Sequence, residues 1–142
     1  MKKAMVSKNF SFEELTDSTK FPALVEKNRF EAAAFLASLQ LTCQEVMEPI
    51  RALFDRPVVP TSGFRGPALN AAVRGVEDSQ HTKGEAVDFI IPGVENEEIY
   101  ERIRNSDIPY DQLILEPGWV HVSRAVTGIK PRRQAWVIGA KA

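Results

Sequence analysis

Ser79-Gln80-His81-Thr82-Lys83-Gly84-Glu85-Ala86-Val87-Asp88 is the stretch on which the reading of this chain turns. Its first half is polar and loop-like, and its second half runs into β-rich sequence ended by Pro92-Gly93. From Ala86 to Ile91 a strand is predicted, with Ala86, Asp88 and Ile90 on one face and Val87, Phe89 and Ile91 on the other. An aspartate in the middle of an apolar strand is costly unless it is paired or binds a metal. His81 is one of only two histidines in the chain.

The other histidine lies in Trp119-Val120-His121-Val122-Ser123, where alternation puts Trp119, His121 and Ser123 on one face. Two imidazoles and a carboxylate suit Zn²⁺, and three protein ligands leave a fourth position open, which is the catalytic pattern. Glu116-Pro117-Gly118-Trp119 joins this run to the preceding one, Asp111 to Glu116, through a Pro-Gly reversal. If that is a hairpin, Glu116 and His121 are diagonal neighbours on one face, in reach of a common water. Spacing alone leaves blander readings open: structural histidines, an Asp88 paired with arginine, a Glu116 that only turns the chain, Trp119 and Phe64 as core, and Arg65 as a surface turn residue.

Upstream, Ser11-Phe12-Glu13-Glu14 has capping-box spacing and predicts a short helix. From Arg29 to Phe54, apolar residues including Phe30, Ala34, Leu36, Leu39, Val46, Met47, Ile50 and Leu53 predict an amphipathic helix that Pro49 kinks or divides. Pro57 to Thr61 reads as a brief edge strand, Ser62-Gly63-Phe64-Arg65-Gly66 as a turn, and Pro67 to Val73 as a helix stopped by Gly75. Glu95 to Arg104 is helical with Ile99 and Ile103 inward, and a last strand lies near Gln134 to Ile138. Helices first and strands later imply an α+β fold with a small, mainly antiparallel sheet packed with helices.

The chain of 142 residues, 44% hydrophobic and 26% charged, fits one domain over 1–142, with no need of a structural metal. A net charge of −1 argues against nucleic acid or an anionic membrane as partner, and no apolar run is long enough to insert in a bilayer. Cys43, the only cysteine, reads as a buried small hydrophobe. Met1-Lys2-Lys3 is basic, but Ser7, Lys8 and Asn9 interrupt any apolar segment, so synthesis in the cytoplasm without a signal peptide is expected.

At these residues the chain resembles the zinc D-alanyl-D-alanine carboxypeptidases and phage-endolysin peptidases, whose hedgehog/DD-peptidase-like fold is shared with the signalling domain of hedgehog proteins. Ser-x-His-x-x-Gly-x-Ala-x-Asp is present at Ser79, His81, Gly84, Ala86 and Asp88, Glu with Trp-x-His at Glu116, Trp119 and His121, and Ser-Gly-aromatic-Arg at Ser62 to Arg65. The likeness spans roughly 10–133 and takes in Glu48-Pro49-Ile50-Arg51 and Asn70. It implies a monomeric zinc peptidase of bacterial peptidoglycan peptides with one Zn²⁺ on His81, Asp88 and His121. Arg65 would hold a substrate carboxylate or carbonyl, Glu116 would be the general base, and Ser79 and Ser123 would support the ligands. Many members place the catalytic Glu three residues before the last His, where this chain has Gly118; Glu116 stands five before, with Glu85 as the next candidate. Cleavage of a terminal D-Ala, of L-Ala-D-Glu or of a cross-link all fit the resemblance, as does release to the wall during phage lysis. A zinc-bearing recognition module without catalysis is the alternative.

Overall fold

The computed structural model describes residues 3–139; Met1 and Lys2 of the basic amino-terminal segment lie outside the described residues, as do 140–142. A small hairpin, β1 (Met5–Ser7) and β2 (Phe10–Ser11), opens the fold. Glu48 pins it by accepting from the Ser7 hydroxyl at 2.6 Å and the Asn9 backbone N–H at 2.8 Å. Ser11 then caps α1 (Phe12–Thr16) through the reciprocal pair with Glu14 that its spacing predicts.

The long helical segment differs from expectation. It begins at Val25 and breaks twice, giving α2 (Val25–Ala32), α3 (Leu36–Thr42) and α4 (Glu48–Phe54). A tight 3₁₀ turn at Ala33–Phe35 and a wide π turn at Cys43–Met47 join them. Pro49 explains the second break: it has no N–H to donate, and its ring would strike the carbonyl four residues back, so the chain widens just before it. The inward stripe is Ala32, Leu39, Cys43, Val46, Met47 and Ile50, all with no exposure. Phe30, 84% exposed, and Leu36 face solvent instead of the core, as does Ala34.

Five strands form the main sheet: β3 (Val59–Ser62), β4 (Ala86–Ile90), β5 (Tyr110–Glu116), β6 (Trp119–Arg124) and β7 (Gln134–Val137). Their order is β3-β4-β6-β5-β7, and every pair is antiparallel except β5–β7. Pro60 is tolerated because β3 is an edge. Between strands lie α5 (Pro67–Ala72) and α6 (Asn96–Arg104), the latter burying Ile99 and Ile103 as expected. Arg74, at φ +60°, makes the reversal after α5 that was expected of Gly75.

This α+β arrangement sorts the two faces of the sheet. Val87, Phe89, Leu113, Val120 and Val122 join Leu39, Val46, Met47, Ile99 and Ile103 in one apolar core. Each such side chain contributes roughly 1.5–3 kcal/mol by leaving water. The partner positions on the opposite face are Asp88, Ile114, Glu116, Trp119 and His121.

A candidate metal centre

Strand pairing sets the centre. Asp88 on β4 lies directly opposite His121 on β6, so their side chains rise together from the sheet, and Asp88 Oδ1 lies 2.9 Å from His121 Nδ1. His81 approaches from a 3₁₀ turn, Gln80–Lys83, capped by the Ser79 hydroxyl, which accepts the His81 backbone N–H at 3.2 Å. Its Nδ1 is 2.7 Å from the Gly63 carbonyl, which can only accept, so Nδ1 carries the proton. Nε2 faces Asp88 Oδ1 at 3.3 Å.

The two rings stand edge to face with centroids 5.2 Å apart, and one donor atom from each of His81, Asp88 and His121 lies within 4.8 Å of the others. This group could hold a metal ion. The donor chemistry fits: two imidazoles, one of them locked in tautomer by a carbonyl, and one carboxylate, all buried. Burial would raise the Asp88 carboxyl, but the charge of His81 and the hydrogen bonds from both histidines outweigh it and hold it well below the usual carboxylate range.

Arg65 comes from the Ser62–Gly66 turn, which is fixed from several sides. Phe64 N–H donates to the Leu15 carbonyl at 2.8 Å, and a Cβ on Gly63 would run into that same carbonyl, so no larger residue fits. The Asn28 amide nitrogen donates to the Phe64 carbonyl at 3.0 Å and its oxygen accepts from Gly66 N–H at 2.7 Å. Phe64 itself is core, 1% exposed and packed against Phe35. Arg65 Nη2 donates to Ser79 Oγ at 3.3 Å, whereas its Nε is buried without a partner. Burial pushes the guanidinium pKa down, with the Asp88 charge opposing. The indole N–H of Trp119 is a second buried donor without a partner.

The Pro117-Gly118 reversal makes the expected hairpin, with Glu116 paired to Trp119 and Ile114 to His121. Gly118 takes φ +104°, a conformation the turn requires and side chains resist. Glu116 thus shares the face of His121. Burial and the nearby Asp88 charge raise its carboxyl pKa above the ordinary glutamate range, with His121 partly opposing. The three metal-centre residues, Arg65, Glu116 and Trp119 line one cleft of about 400 Å³.

Two expected residues are elsewhere. Ser123 is fully buried, and its hydroxyl accepts Gln112 N–H at 3.0 Å where the β5–β6 register shifts, so it supports the bulge and not a ligand. Glu85 does not line the cleft; it lies under the influence of Arg124, Lys83 and Asp111, and burial raises its pKa. Asn28, the Gly63 carbonyl and the ion pair of Arg132 with Asp111 at 2.6 Å are the contributors that motif reading missed. Gln112, another cleft residue, was in principle legible from its strand parity with Ile114 and Glu116.

The family model of the M15 peptidases matches residues 8–123, most of the chain, and the chain belongs to that family. No curated protein matches it at a significant level.

Proposed function

We propose that this member of the M15 peptidases is a zinc enzyme that hydrolyses an amide bond in the peptide part of bacterial peptidoglycan. The observation that carries the reading is the convergence of His81 Nε2 and His121 Nδ1 on Asp88 in a cleft that also holds Glu116. His81, Asp88 and His121 are the zinc ligands. A zinc ion there would supply Lewis acidity, acidifying water and polarising a peptide carbonyl at neutral pH.

The remaining steps belong to the chain's own side chains. Glu116 takes the proton of the attacking water on its carboxylate and returns it to the leaving nitrogen; its raised pKa suits it to both roles. Arg65, which lines the same cleft, offers its guanidinium to the carbonyl oxygen as charge develops there. Ser79 holds Arg65 and the His81 turn together through one hydroxyl.

The coexistence of a partly buried glutamate and an arginine with the three candidate ligands in one cleft favours catalysis over a recognition module that only holds metal. Elemental analysis after zinc reconstitution should find about one equivalent in the wild type. His121→Ala should lose it, and less than half an equivalent in the wild type sinks the ligand assignment. Mass spectrometry of digested purified peptidoglycan should reveal new peptide termini. On the same reading a suspension of isolated walls clears when the enzyme is added, as a lysis role in phage release requires.

A further inference from the structure

Strand register carries the metal-centre face of the sheet one strand beyond the cleft. Asp88 pairs with His121, His121 with Ile114 and Ile114 with Trp136, so the four form a single row across β4, β6, β5 and β7. Residues paired in this way point to the same face. Two strand spacings of about 4.8 Å set Trp136 roughly 10 Å from His121, the length of about three residues of extended peptide. Beside that row, Gln112 pairs with Gln134, and the amide nitrogen of Gln112 donates to the Gln134 side-chain oxygen at 3.2 Å. The family model stops at residue 123, so β7 lies outside the stretch it matches.

A single exposed apolar side chain is ordinary, and Trp136 at 39% exposure would need no explanation elsewhere on the surface. Its position is what singles it out. The cleft reaches Gln112 and Ile114 on β5, and Gln134 and Trp136 are the next residues outward on the same face. The face of an indole is the negative side of its ring quadrupole, so it attracts weakly positive C–H groups laid flat upon it. A pyranose ring presents such C–H groups on its faces and hydroxyl or acetamido groups round its edge. Carboxamides such as those of Gln112 and Gln134 can both donate to and accept from that edge. Gln112, Ile114, Gln134 and Trp136 carry no charge, a lining better suited to a neutral sugar than to a charged side chain or peptide terminus.

We infer that Trp136, with Gln112 and Gln134, is a sugar subsite: the indole stacks on a pyranose ring of the glycan to which the peptide is attached, while the peptide runs along the row to the metal centre. What is bound at the metal centre follows from the peptidase reading, on which this inference rests. No bond of the sugar is made or broken. Trp136 is a specificity-determining residue that selects glycan-linked peptide over the same peptide free.

Two measurements on the full chain test the subsite. The first, NMR titration with peptidoglycan glycan strands stripped of their peptides, needs no turnover. The indole N–H resonance of Trp136 should shift saturably and more than that of Trp119. Trp136→Ala should weaken binding by about fivefold or more, and Trp136→Tyr, which keeps an aromatic face, should retain most of it. No binding at millimolar sugar, or binding indifferent to Trp136→Ala, overturns the subsite. The second measurement compares hydrolysis, by the zinc-loaded protein, of one stem peptide free and glycan-linked. The wild type should prefer the linked form by about fivefold or more in kcat/KM, mostly through KM, and Trp136→Ala should bring that ratio close to one. A wild type without the preference, or a preference that survives Trp136→Ala because both rates fall together, makes Trp136 a structural or peptide contact and overturns the sugar role. Cleavage of neither substrate defeats the peptidase reading, and the titration then decides the sugar subsite by itself.

Discussion

At the scale of single residues, the proposed general base, Glu116, makes no side-chain hydrogen bond or ion pair among the described residues. Glu116→Gln keeps shape and hydrogen-bonding capacity but removes the basic oxygen. Zinc content should stay near one per chain while hydrolysis of a stem peptide falls 10²- to 10⁴-fold, the usual share of a general base. Full zinc with near wild-type turnover would return the role to another group. Asp111 offers a structural contrast. Its carboxylate takes hydrogen bonds from Arg132 and Gln80, and these, Arg132 first, lower its pKa. A lowered folded pKa contributes stability that is present above the unfolded value, near 3.9, and is lost as pH falls through the folded one. Arg132 is half exposed, so solvent screens the pair, and Asp111→Asn should cost about 1 kcal/mol at neutral pH. In urea melts that difference should shrink as pH falls below the unfolded value and through the lowered folded one, and a constant difference across pH would show that the charge is not its source.

Among the elements, the β5–β6 hairpin decides whether Glu116 and His121 meet. Gly118→Ala adds a Cβ that strikes nothing, so any cost is backbone strain at φ +104°, of order 1–3 kcal/mol. Because the strain acts at the turn, activity should fall more than zinc content; a proportional loss of both would mean that the whole centre, not Glu116 alone, had moved. The hairpin, the capping box and the strand parity of Asp88 and His121 were legible in the sequence because period-two alternation and turn chemistry are local. The helical segment was legible only in outline. Counting from Arg29 with one helical period assigned Phe30, Ala34 and Leu36 inward, but the 3₁₀ turn at Ala33–Phe35 resets the phase and the π turn resets it again. The hold of Asn28 on the Arg65 turn and the use of Ser123 in a bulge were not legible at all, since the first depends on residues far away in the sequence and the second on an irregular β5–β6 register.

For the molecule as a whole, the candidate metal centre and the apolar core lie on opposite faces of one sheet. Chelated protein should therefore keep its circular dichroism spectrum, and wholesale unfolding would make the centre structural. Cys43 reports on the core independently: burial pushes its thiol up to about 12, so a thiol reagent at mildly alkaline pH should leave it unmodified with or without zinc until denaturant is added. Membrane insertion by helix is not a property of the described residues, none of whose helices is long and apolar enough to span a bilayer. The order β3-β4-β6-β5-β7 has one more consequence. Strands peel from the rims of a sheet inward, so thermal breathing opens β7 and β3 long before it reaches the middle. His121 rides on that middle strand, flanked by Asp88 on one side and the Glu116 strand on the other. In hydrogen exchange the amide protons there should be the last to trade with solvent, and the β7 rim, which supplies no residue of the cleft, should be among the first.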